Sequence, residues 1–173
     1  MKKMLSPKGM KILKFVHVLC AMFWVGALTG MWALSFWPVE SGDEMYMLLN
    51  AILLLDNAVL IPGALILYVT AIIYGKKTNF GFFKYRWITA KWIISLVLTI
   101  VGTFYFHPTV MNAIDIVDKG RDAVLNDPQV LSAVTVARWS AWQFAALLAI
   151  VVISVFKPWK KKQPGKPSLN VAE

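Results

Sequence analysis

The chain has 173 residues, 58% of them hydrophobic, and 18 Lys and Arg against 9 Asp and Glu give it a formal charge of +9. A mean hydropathy of +0.62 suits a chain whose solvent is mostly lipid. The basic residues flank apolar blocks, so anionic headgroups are the expected partner and nucleic acid is excluded. A single cysteine excludes an intramolecular disulfide.

Four apolar blocks follow one another, at about 15–37, 51–75, 87–106 and 134–156, each near the ~20 residues that cross a bilayer core. The Met1-Lys2-Lys3 start is signal-like, but the apolar run after it is too long for a cleavable segment and lacks a small-x-small site. In the first block, Cys20, Ala21, Trp24, Leu28 and Met31 share the helical face of His17, at 100° per residue, while Gly26 and Gly30 form a G-x-x-x-G on the opposite face. Only one of these faces can point at the bundle centre. If His17 points inward, the glycines are left to meet another helix or a second copy of the chain.

Before the second block, Ser41-x-x-Glu44 predicts a capping box that starts the helix ahead of its apolar part. Pro62-Gly63 predicts a kink within it. In the third block, Lys91, Ser95, Thr99 and Gly102 form a stripe smaller and more polar than the rest, which favours Lys91 facing protein. Between residues 108 and 126, Val110, Ile114, Val117 and Val124 alternate with Asp115, Asp118, Asp122 and Arg121 at helical spacing, predicting a short amphipathic helix on the outer surface. Asp127-Pro128 predicts an N-cap with proline at the first helical position. Residues 1–157 form one four-span domain in this reading, and 158–173 a flexible basic cytoplasmic tail.

Lys and Arg collect at the N-terminus, at 76–86 and after 157, whereas the acids lie in the other two connections. By the positive-inside rule both termini are cytoplasmic. The fold expected is therefore all-α: a four-helix integral membrane bundle, N-in and C-in, multi-pass in the cell (inner) membrane.

Ionisable residues in or at the edge of the spans are His17, Asp56, Lys91, Arg138 and His107, and each charge at bilayer depth costs about 2.5–3.5 kcal/mol. Counting along the spans puts His17 and Lys91 at one level near the inner edge. Asp56 and Arg138 share a level near the outer edge, where they are expected to form a structural ion pair. His107 is about 24 Å along the helix from Lys91, so the two histidines cannot ligate one haem or metal within one subunit, and His107 reads as an interfacial residue. His17 is either a hydrogen-bonded packing residue or a ligand, and Met45-x-Met47 is a thioether pair of the kind that suits Cu(I).

His17-x6-Trp24-x-Gly26 within KFVHVLCAMFWVGAL, together with Pro62-Gly63 and Trp87-x3-Lys91, resembles two related four-helix membrane families. These are the HemJ-type protoporphyrinogen oxidases and the CopD-type copper-resistance membrane domain. The first resemblance implies a haem b with His17 as axial metal ligand and Lys91 as functional partner; from the helical positions, Ser95 leaves room beside Lys91 for a flat ligand and Trp24 is expected to pack on it. The second implies copper held by His17, Cys20 and the outer methionines. A third reading is a non-catalytic subunit that packs in a complex, or with itself, through Gly26 and Gly30.

Overall fold

The computed structural model describes residues 5–78 and 81–157. These are all-helical, with no strand among them. Four helices are long and apolar enough to cross a membrane: α1 (Pro7–Leu34), α2 (Gly42–Lys77), α3 (Arg86–Val124) and α4 (Pro128–Phe156). Short connections make successive helices antiparallel, so one end of the bundle carries the acidic connections and the other the basic ones. The stretch 158–173, read as a tail, lies outside the described residues.

The helix starts follow from local sequence. Ser6 caps α1 by accepting from the Gly9 N–H at 3.2 Å, with Pro7 at the first position. Ser41 Oγ accepts from the Glu44 N–H at 3.3 Å, while Glu44 reaches back to the N–H of Glu40, one residue before the expected partner. Asp127 accepts from the Gln129 N–H at 2.8 Å, with Pro128 next. α4 is interrupted only at Trp139.

Where a kink is expected in α2 the helix has a widened turn, and α3 has a matching one. Residues Asp56–Leu60 and Gly102–Phe106 are π-helical. Each stretch is followed by one residue and then a proline: Ile61-Pro62 and His107-Pro108. Proline offers no N–H, and its ring collides with the carbonyl four residues back. The chain answers by lengthening the turn, so Ile61 N–H donates to Asp56 O and His107 N–H donates to Gly102 O, each five residues back.

The short outer amphipathic helix is not a separate element. α3 runs on to Gly120 and ends in a 3₁₀ turn, and its apolar stripe of Val110, Ala113 and Val117 is fully buried. It packs against Met45, Leu48, Leu49 and Ile52 of α2 and against Val130, Ala133, Val136 and Ala137 of α4. A surface helix would leave that stripe half-solvated; burying it between two neighbours removes far more apolar area from water. At 1.5 Å per residue, the 36 residues of α2 and 39 of α3 span about 54 and 58 Å, well beyond a hydrocarbon core of about 30 Å. The acidic end is thus a tightly packed helical extension with a polar exterior.

The remaining length has the opposite character: Phe15, Met22, Leu65, Phe104, Trp142 and Phe156 are all more than 60% exposed. So much exposed apolar surface marks an interaction surface, of the kind a membrane or a partner protein covers. On α1 the buried residues include Cys20, Trp24, Leu28 and Met31, so the His17 face points inward. Gly26 faces away, with no atom within 4 Å of where a Cβ would stand, and Gly30 is turned onto Leu55 of α2.

Candidate functional site

Polar side chains enter the apolar bundle at three levels. Near the basic end, His17 Nδ1 lies 2.8 Å from Thr70 Oγ1. The Thr70 hydroxyl has one proton, and the carbonyls of Ile66 and Leu67 stand 3.0 and 2.8 Å from it. With that proton turned to either carbonyl, Thr70 accepts from the His17 Nδ1–H, the tautomer assigned from the hydrogen-bond network. Nε2 keeps its lone pair and has no hydrogen-bond partner among the described residues, while the ring edge meets Tyr74 at 5.6 Å. The Lys91 ammonium is close enough to act on His17 electrostatically, and it also lies 5.7 Å from the Trp87 ring. His17 and Lys91 thus stand within electrostatic range of one another near the basic end. Ser95, half-buried on the same stripe as Lys91, makes no hydrogen bond among those described, and Trp24 lies two turns deeper, buried in a separate cluster with Leu28, Ala64 and Leu147.

At the middle level, the Tyr68 hydroxyl and Thr99 Oγ1 are 2.7 Å apart, and Tyr68 stacks on Trp92 at 5.9 Å. These contacts bridge the basic halves of α2 and α3.

At the third level, the His107 Nδ1–H donates to Asp56 Oδ2 at 2.9 Å. Asp56 is buried and His107 half-buried. The expected Asp56–Arg138 pair is not formed. Arg138 instead donates from Nε to Ser35 O at 3.3 Å and lies 5.2 Å from the Phe36 ring. Depth along the axis brought Asp56 and Arg138 to one level, but the π turn directs Asp56 at α3, whereas Arg138 faces the end of α1. His107 is the residue that sequence reasoning set aside. The signal that would have found it is the repeated spacing of Asp56-x5-Pro62 and Gly102-x5-Pro108, which widens both helices at one level.

Between the second and third levels lies a cavity of about 390 Å³, walled by α1, α2, α3 and Gln143 of α4. Asp56, Asn57 and His107 close one end; Trp24, Tyr68 and Thr99 form the other. Its flank carries the exposed side chains Ile61 and Leu65 beside Gly102 and Thr103. His17, Lys91 and Ser95 do not line it.

The donor chemistry can be tested against the two cofactors. A single imidazole with a free, oriented Nε2 fits one axial bond to haem iron. For the copper reading, no group of three His, Cys, Asp or Glu converges among the described residues, and of the outer methionines Met45 is buried in the core while Met47 is 71% exposed, so those two do not form a thioether pair. Comparison with protein-family models, curated proteins and solved structures found no match. Fold and site together define a four-helix, membrane-type bundle with an oriented histidine near one end and an internal cavity closed by a second.

Proposed function

We propose that the chain is a multi-pass protein of the cell membrane, with both termini cytoplasmic, that binds haem b through His17. The membrane reading is supported by the apolar exterior and by Lys and Arg gathered at one end of the bundle. The acidic, water-compatible extension then lies outside. The single observation that carries the ligand reading is the committed Thr70 hydroxyl, which holds the His17 proton on Nδ1 and leaves Nε2 as an aimed lone pair in an apolar helix packing. Nε2 has no protein partner and, as no partnerless side-chain nitrogen or oxygen is fully buried among the described residues, it is reachable from outside the helix packing.

Haem b bound here would supply one-electron redox chemistry. His17 would give the axial nitrogen, Thr70 would hold the imidazole in its tautomer, and Lys91 would neutralise a propionate near the membrane edge. Ser95, about one turn from Lys91 on the same stripe, keeps that side small. Gly26, outward-facing and open, favours a second copy of the chain or a partner helix packing there.

The test is wild type against His17→Ala and His107→Ala, each expressed with haem supplied. A Soret band in wild type and His107→Ala but not in His17→Ala is expected. A wild type that purifies without the band, or a His17→Ala that keeps it, overturns the assignment.

A further inference from the structure

The cavity between α1, α2 and α3 is separate from His17, and its construction indicates a ligand of its own. Its volume of about 390 Å³ lies at the low end of the 300–1,000 Å³ typical of ligand sites, enough for a ring with part of a tail. Its walls are mostly apolar. The ionisable groups lining it, Asp56 and His107, face each other, and the Asp56 carboxylate already accepts from His107, so the cavity presents no uncommitted charge to a ligand. The flank between Ile61, Leu65 and Thr103 opens through exposed apolar surface, so in the membrane reading above the ligand arrives from lipid.

The chemistry of the closed end narrows the class. His107 donates its Nδ1 proton to Asp56, so in the neutral imidazole Nε2 accepts a hydrogen bond from a ligand hydroxyl. With a proton on Nε2 as well, the same atom donates to a ligand carbonyl, and the Asp56 carboxylate stabilises the imidazolium. One pair of side chains therefore serves a head group in either its hydroxyl or its carbonyl form. Trp24 and Phe106 provide aromatic and apolar surface for a flat ring. Paired π turns, which are enriched at functional sites, keep both members of the dyad at one level.

We infer that the cavity binds a bilayer-dissolved quinone or hydroquinone, its ring oxygen at His107 Nε2 and its tail leaving between α2 and α3. When a hydroquinone occupies it, the ring O–H bond can break with its proton passing to Nε2. The product is a ring oxyanion beside an imidazolium held by Asp56.

The protein reconstituted in phosphatidylcholine–phosphatidylglycerol nanodiscs is titrated with decyl-benzoquinone, following quenching of tryptophan fluorescence. A saturable component is expected in wild type. Gly102→Leu should abolish it, because open space surrounds a Cβ at Gly102 and the side chain fills the cavity without disturbing the packing. His107→Ala should weaken binding at least tenfold. Decylbenzene, which has the tail without the oxygens, should not compete. Quenching that is linear in wild type, or equally saturable in Gly102→Leu, overturns the site. Competition by decylbenzene as strong as by the quinone overturns the head-group assignment and leaves an acyl-chain cavity. The same titrations in the His17→Ala background, where no haem at His17 quenches tryptophan, keep these outcomes distinct from the haem assignment, because His17 does not line the cavity.

Discussion

His107 and Asp56 meet at 2.9 Å across α2 and α3, each at the acidic-side edge of a π-helical turn set by a proline. An imidazole and a carboxylate would each be expensive to bury alone; together they satisfy one another at a level where the packed core of the acidic end gives way to the cavity. The dyad thus closes one compartment and forms the end wall of the next.

Breaking it should reveal coupling. Asp56→Asn and His107→Ala should each destabilise by about 1–3 kcal/mol. The double variant should show an interaction energy within the 0.5–3 kcal/mol seen for contacting residues. Asp56→Asn combined with Arg138→Gln should be additive to about 0.5 kcal/mol, since those residues have separate partners. Denaturation of the purified protein in detergent measures all three; coupling of Asp56 to Arg138 instead of His107 would contradict the geometry.

The π turns make a second prediction. Pro62→Ala restores an N–H and removes a ring, letting α2 return to ordinary helical pairing and rotating Asp56 away from α3. Repeating the Asp56/His107 cycle in that background should give coupling below about 0.5 kcal/mol. Unchanged coupling would show that the proline is not what holds the turn open.

Two glycines should behave oppositely. A Cβ on Gly42 would collide with the Arg121 carbonyl carbon, against backbone that cannot yield, where the Gly42 N–H also donates to Asp122. Gly42→Ala should therefore cost about 1–3 kcal/mol. Gly26 meets nothing, so Gly26→Ala should leave stability within about 1 kcal/mol and in the stabilising direction. Thermal melts of the two variants side by side check the contrast.

Thr70→Val keeps the shape of the His17 contact but removes the oxygen that accepts its Nδ1 proton. Haem affinity should fall 10- to 100-fold, the usual effect of removing a ligand's orienting partner, with helicity by circular dichroism unchanged. An unaltered affinity would mean that Thr70 does not orient the ligand.

For topology, reporter fusions at Lys166 and Asp122 should report cytoplasm and exterior respectively. The reverse pattern, or equal signals, would reject the orientation.

Much of this was legible in the chain before any tertiary contact was known. The four apolar runs, the caps at Ser41 and Asp127, and the inward Cys20–Trp24–Leu28–Met31 face depend on composition and on a period of 3.6 residues, which are local properties. Counting residues also put His17 and Lys91 at one depth, because a helix rises 1.5 Å per residue whatever surrounds it. Tertiary structure decided azimuth and continuity. It showed that residues 108–120 extend α3 into a packed core, that Met45 and Met47 part company, and that Asp56 turns to His107 instead of Arg138. The reason is rotational: one residue added by a π turn swings everything after it by about 100° around the axis. Depth survives such a change almost untouched, while the choice of partner does not.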